Sequence, residues 1–355
     1  MQFPGRRPPP PQTPNQFVFD SDMGNRIDSA LALAVVFGAA LQDGAESEVA
    51  AVETSKANIN SAVFLDILRR FFARPELPAA EGEEGGRRRG QESITANRVG
   101  YRMGGNTPES TPLLDAVGGK KNAEGEYVYY REVEHLSDTA DSVALLRDTV
   151  DGWRKEENKP GPGVMIETGP ATNFARLLNL SKMPEGIAEK ARLLVVAMGR
   201  FPSGADPVHI GPDVGAAKKL FAEWPGPIVA CGAEVGEKLQ FPAASIEKDF
   251  GWAENHPIVD AYRAYKTMPY DAAAWETAAA LYAVQPDTGY FQLSAPGRIS
   301  VGEDGAVSFE EAADGNHRYL IFDESKRAAI IEAMTRLAST EPMPLPAPPA
   351  PPPAA

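Results

Sequence analysis

The chain has 355 residues, of which 43% are hydrophobic and 24% charged, the balance of a globular protein long enough for one large α/β domain. Its formal charge of -14 excludes non-specific nucleic-acid binding, which needs a basic surface to displace counterions. The single cysteine, Cys231, excludes a disulfide framework and a thiolate metal cluster, and in its apolar run it reads as a small core residue.

Residues 1–16 form a proline-rich tail (Pro8 to Pro14), and residues 341–355 form a second one rich in Pro and Ala. Such segments favour extended polyproline II and build no packed core by themselves. The N-terminus carries no apolar segment of the secretory type, and no apolar run approaches the ~18 residues of a membrane span. The expectation is a cytoplasmic protein that neither crosses a membrane nor binds nucleic acid.

Between the tails, residues 17–340 read as one domain in which apolar strands alternate with helical patterns. Phe17-Val18-Phe19 is a strand, and the apolar stretch from Ala30 to Leu41 has helical length. Residues 79–126 are polar, Gly-rich and aperiodic, and read as an irregular insertion; Arg87, Arg88 and Arg89 lie there beside Glu81, Glu83 and Glu84, as in a solvated loop. Val164-Met165-Ile166 precedes a helix through Phe174 and Leu178. Leu193 to Val196 precedes another near Ala216 to Phe221, and Pro227 to Ala230 is a further strand. Near-continuous apolar strands separated by helices mean a mostly parallel sheet with helices on both faces. Ligands on such sheets sit at the carboxyl ends of the strands.

The most informative segment is Asp20-Ser21-Asp22-Met23-Gly24-Asn25-Arg26-Ile27-Asp28-Ser29, where the first strand ends and the first long helix begins. Crowded carboxylates repel, and a hard cation with several oxygen ligands is the usual remedy. Asp28 by itself also suits a helix N-cap, a reading that leaves Asp20 and Asp22 unexplained. No Gly-x-Gly-x-x-Gly follows the first strand, and neither a His-Glu-x-x-His nor a Gly-x-Ser-x-Gly motif occurs.

The loop resembles that of the inosine/uridine-preferring nucleoside hydrolases, in the bacterial branch reading Asp-Thr-Asp-Met-Gly-Asn-Asp-x-Asp-Asp-Ala-Leu-Ala-Leu. It matches at Asp20, Asp22 to Asn25, Asp28 and Ala30 to Leu33, and departs at Arg26 and Ser29. Thr168 to Asn173, Val195 to Gly199, Phe221 to Gly236, Trp275 to Asp287 and Gly289 to Arg298 resemble further family segments in the expected order. The resemblance spans roughly 17–322 and implies a nucleoside-hydrolase-like α/β fold. It also implies calcium-assisted cleavage of the N-glycosidic bond of ribonucleosides.

Carried over by position, the resemblance makes Asp22 metal ligand and catalytic base, with Asp20 supporting it from behind. It makes Ser29, the Thr168 carbonyl and Glu276 the other metal ligands, and puts Asp28, Asn58, Asp206 and His209 against the nucleoside. Ser29 stands where the family has a carboxylate and Glu276 where it has an Asp. Pro207 and His209 stand in the ribose-gripping segment, with Asp206 one residue out of register. Arg26 adds a cation nearby.

Two functions follow. In the first, the calcium and ribose site is degraded, and a weakly active or inactive homologue serves as a binding or structural subunit. Its proline-rich tails would attach it to a homo-oligomer or larger complex. In the second, the chain is a working calcium-dependent N-ribohydrolase.

Overall fold

The computed structural model describes residues 15–42, 47–73, 99–106, 108–157 and 159–342. In chain order these give β1 (Gln16–Ser21), α1 (Ile27–Gln42), β2 (Glu48–Lys56), α2 (Ile59–Ala73), β3 (Val99–Asn106) and α3 (Pro112–Gly118). There follow β4 (Ala140–Asp141), α4 (Ser142–Gly152), β5 (Gly163–Glu167), α5 (Thr172–Leu177), α6 (Met183–Lys190) and β6 (Ala191–Val196). Next come β7 (Ser203–Ala205), α7 (Val214–Glu223), β8 (Ile228–Ala230), α8 (Ala233–Gly236), β9 (Gln240–Phe241) and α9 (Ala243–Lys248). The remainder holds α10 (Pro257–Tyr265), β10 (Ala272–Ala273), α11 (Trp275–Val284), β11 (Gln292–Leu293), β12 (Gly297–Val301), β13 (Ala306–Glu311), β14 (His317–Ile321) and α12 (Arg327–Ala338).

The main sheet runs β4-β3-β2-β1-β5-β6-β8-β14-β12-β13-β7. It is parallel from β4 through β14 and antiparallel beyond. Its strands alternate between two cores, as a period of two requires. Phe17, Phe19, Val164, Ile166, Val195 and Val229 face the core built with α1, α2, α10, α11 and α12. Val18, Met165, Leu194, Val196, Ile228 and Ala230 face the core built with α4 to α7. Each Val, Leu, Ile, Met or Phe side chain among them removed from water stabilises the fold by roughly 1.5–3 kcal/mol before entropy is counted. Cys231 lies in the first of these cores, 1% exposed.

Helix α1 is buried on every side from Ile27 to Gly38 and packs against α11 and α12. That explains an apolar sequence without an amphipathic stripe. Of the irregular insertion expected over 79–126, residues 79–98 and 107 lie outside the described residues, and the described part holds regular structure. Within it, β3 pairs in parallel with β2 and α3 packs against α10 and α2. The glycines at 100, 104 and 105 hid a strand whose pairing comes from its neighbour, not from its own propensity. The arginine run at 87–89 and both proline-rich tails fall outside the described residues, save for Asn15, Gln16, Glu341 and Pro342 at their inner ends. Among the described residues no helix is long and apolar enough to cross a membrane.

From β1 the chain steps outward through β2, β3 and β4, then returns to place β5 on the other side of β1. The carboxyl ends of β1 and β5 are therefore the switch point of the sheet, where parallel α/β folds open a crevice. Asp20 to Asp22 and Glu167-Thr168 stand there.

Candidate functional site

Two glycines let the loops at the switch point close together. Gly24 turns the chain after β1 at φ 101°, a conformation that disfavours any side chain. At Gly169, after β5, a Cβ would stand 2.5 Å from the Asp22 amide nitrogen. The two backbones thus run in contact, with the Thr168 amide donating to the Asp20 carbonyl at 2.8 Å.

Asp22, Thr168 and Glu276 come together around the guanidinium of Arg26. Arg26 Nη2 donates to Asp22 Oδ1 at 2.7 Å, Nε donates to Glu276 Oε1 at 2.5 Å, and Nη2 also approaches the Thr168 carbonyl at 3.5 Å. Asn25 Nδ2 donates to Asp22 Oδ2 at 2.7 Å, and Lys56 Nζ donates to Asn25 Oδ1 at 2.7 Å. Burial works against the charge on Arg26, but the Asp22 and Glu276 carboxylates override it and hold the guanidinium protonated. Burial likewise pushes Glu276 up, and the Arg26 charge and the His209 hydrogen bond bring it below its usual range.

The groups expected to grip a nucleoside are bonded within the protein. Asp28 does not cap its own helix. Its carboxylate accepts from the amides of Glu276 at 2.7 Å and Thr277 at 3.2 Å and from Thr277 Oγ1 at 2.5 Å, closing the start of α11. Burial and the Glu276 charge raise its carboxyl to about 7. Asp206 accepts from the amides of Gly199 at 2.8 Å and of Val208 and His209 at 3.0 Å each.

His209 Nδ1 lies 3.2 Å from Asp206 Oδ2 and Nε2 lies 3.4 Å from Glu276 Oε1. Burial and the Arg26 charge depress the imidazole, but its two carboxylate partners win and its pKa stands at about 9. Burial would also raise Asp206, yet the His209 hydrogen bond and charge bring it down to about 2. Asn58 Nδ2 donates to the Pro108 carbonyl at 2.9 Å, and its Oδ1 accepts from the Asn60 amide at 2.9 Å. The assembly is largely buried: Arg26 keeps a side-chain exposure of 15%, while Asp22 keeps 4% and Glu276 none.

One feature was missed in the sequence. Asp20 on β1 pairs in register with Glu53 on β2 and with Glu167 on β5, so three fully buried carboxyls sit side by side on one face. Among the described residues, both oxygens of Asp20, both of Glu53 and Oε2 of Glu167 meet no hydrogen-bond partner of good geometry within 3.5 Å. Burial raises Asp20 to about 7, and burial plus the Asp20 charge pushes Glu53 and Glu167 well up. Burial and mutual repulsion therefore favour the neutral form of these acids, which is how like charges share one dry place. No motif announces the row, because parallel register between distant segments leaves no mark in the local sequence.

The fold can be set beside solved structures. A plant nucleoside hydrolase superposes with a TM-score of 0.61 at 16% identity, over 92% of this chain and 100% of that one. An inosine-guanosine nucleoside hydrolase gives 0.64 at 14% identity, over 91% and 98%. The inosine-uridine preferring nucleoside hydrolase from Bacillus anthracis gives 0.57 at 15% identity, over 91% and 99%. No family model and no curated protein matches the chain. The chain therefore has the nucleoside-hydrolase fold. At such low identity the likeness speaks for the fold alone.

The donors here do not fit the calcium ion that the resemblance implies. Calcium takes six to eight oxygens at about 2.3–2.6 Å, with carboxylates supplying most of the charge. Three of the groups assigned to it, Asp22, Glu276 and the Thr168 carbonyl, face the Arg26 guanidinium instead. The fourth, Ser29, is wholly buried and brings no charge. Among the described residues no group of three or more His, Cys, Asp or Glu side chains is disposed to hold a metal ion.

Proposed function

We propose that this chain is a nucleoside-hydrolase-fold protein whose calcium and ribose site has been converted into an internal ion-pair network. It serves as a binding or structural subunit of an assembly and not as an efficient hydrolase. The supporting observation is Arg26, whose charge lies between Asp22 and Glu276. A guanidinium neutralises two carboxylates as a cation does, but it carries no water and lowers the pKa of none. Asp22, with both oxygens accepting from Arg26 and Asn25, is a poor general base. With Asp28, Asp206 and His209 bonded internally, little remains to grip a sugar in the transition state. The two proline-rich tails would be the attachment points, because polyproline segments dock at low entropic cost.

The competing reading, a working calcium-dependent N-ribohydrolase, draws support from one observation. Asp20, Asp22, Asp28 and Thr168 remain gathered at one sheet edge. It would require Arg26 to leave that place when calcium arrives. Inosine and uridine incubated with the protein, with and without calcium, and followed by chromatography of the released base separate the two. The expected result is no turnover in either condition. Turnover near ~10 s⁻¹, typical of enzymes, would overturn the proposal.

A further inference from the structure

We propose that the C-terminal tail, residues 342–355, docks as a polyproline II strand in an aromatic groove on its own chain, on the surface formed by α2, the 128–130 segment and the loop before α10. The groove is a cavity of about 390 Å³ lined by Ile67, Arg70, Phe71, Tyr129, Tyr130 and Trp252 among others. Phe71 and Trp252 stack at 5.3 Å, and Tyr130, 60% exposed, stands with the Arg70 guanidinium 5.2 Å from its ring. Aromatic walls with one open edge are the surface that proline-rich segments recognise, because proline rings present a flat apolar edge and the strand is already ordered.

The route of the chain makes this tail the occupant. Helix α12 ends at Ala338, and the Ser339 carbonyl then accepts from Trp252 Nε1 at 3.0 Å. Thr340 is tied to Gln42 at 3.2 Å, and Pro342 is already buried. The tail thus departs from a fixed point beside a residue of the groove wall. A period of three puts Leu345, Pro348 and Pro351 on the same edge as Pro342. Thirteen further residues at ~3.1 Å each reach about 40 Å, more than enough to cross the cavity.

Charge agrees with this choice. Residues 342–355 carry no ionisable side chain, whereas 74–98, which follow α2 in sequence, carry Arg87, Arg88, Arg89 and several glutamates. Arg70, the one charged group lining the groove among the described residues, is already paired with Asp66 at 2.8 Å and with Glu132 at 2.5 Å. The groove therefore offers apolar faces without an unmet charge. A tail seated there is withheld from partners until something displaces it, an inference that does not rest on the loss of hydrolysis.

The test is calorimetric, with a synthetic peptide of residues 342–355 as the probe. The chain ending at Glu341 should bind it one to one, and the full chain, with its groove filled, should not. A tether of this kind supplies an effective concentration in the millimolar range. The peptide must therefore bind the shortened chain with a Kd of about 1 mM or tighter. Tyr130→Ala in the shortened chain should weaken binding at least tenfold, with circular dichroism confirming its fold. Equal binding to full and shortened chains, or none to the shortened chain, overturns the proposal. So does sedimentation showing a dimer that the truncation abolishes, which would place the tail on a second copy.

Discussion

Arg26 and Glu276, separated by 250 positions in the chain, meet through an Nε to Oε1 contact of 2.5 Å. The pair joins the turn just before α1 to the start of α11, and it gives the carboxylates at the sheet edge a cation that is part of the chain.

Removing that cation should reopen the demand for one. Breaking a buried ion pair by deleting one partner costs about 3–5 kcal/mol, because the remaining charges stay buried and unmet. Arg26→Ala should therefore lower the melting temperature markedly in chelator, and millimolar calcium should restore part of the loss. The native chain should show no such calcium response. Combining Arg26→Ala with Ser29→Asp should strengthen the calcium effect, as read by thermal denaturation and calorimetric titration. Equal calcium responses in native and variant chains would count against Arg26 as the internal counter-ion.

Single-site repair of catalysis should fail. Losing two transition-state hydrogen bonds to charged groups costs roughly 3–6 kcal/mol, a rate factor of about 10²–10⁴. With Asp28 and Asp206 bonded to backbone amides, Arg26→Asp should leave inosine and uridine hydrolysis below about 1% of an ordinary enzyme rate. A chromatographic assay showing recovery to normal turnover would mean that the sugar grip survives.

Stability should fall as pH rises from about 4 to 7, the reverse of what paired carboxylates do. Asp20 stands at about 7 against an ordinary 3.8, and Glu53 and Glu167 are raised as well. Between the unfolded and folded values the native state holds the extra proton, so Asp20 removes about 1.4 kcal/mol of stability per pH unit, and Glu53 and Glu167 act with the same sign. His209, raised from 6.5 to about 9, extends the decline through that second window by the same sign. Urea unfolding at pH 5, 6 and 7 should show the slope, and Glu53→Gln should flatten it. A flat profile in the native chain would show that the row is met by groups outside the protein.

Asp28 should prove a structural residue. Asp28→Ala leaves the Glu276 and Thr277 amides and Thr277 Oγ1 without their shared acceptor. A loss of about 3 kcal/mol is expected from buried donors left unmet. Asp28→Asn, which keeps one acceptor oxygen, should lose less. Equal stability of all three chains in denaturant titration would remove the role.

How much of this was legible in the sequence depended on whether the signal was local. The Asp20 to Leu33 segment carries its strand end, turn and helix start in consecutive residues, and the fold followed from it and from the ordered apolar strands. Asp22, Thr168 and Glu276, distant in sequence, share the Arg26 guanidinium as a neighbour. The engagement of Arg26 by both carboxylates was not readable, since it depends on the direction of one long side chain. Asp28 turned out to hold α11 and not its own helix, a contact made only when the tertiary structure forms. Strand β3 and the row of Asp20, Glu53 and Glu167 escaped notice for the same reason: register between strands is a property of pairs, and a sequence lists residues singly.

The span of the Arg26–Glu276 contact bears on the order in which the molecule folds. Closing a loop of 250 residues is entropically unfavourable until most of the intervening chain is already compact. An ionic clasp of that reach belongs to the last stage of folding, after β1 has found β2 and β5. Weakening it should leave the folding rate almost untouched and speed unfolding, the kinetic signature of a contact absent from the transition state. The clasp would then govern the lifetime of the native molecule and not its nucleation.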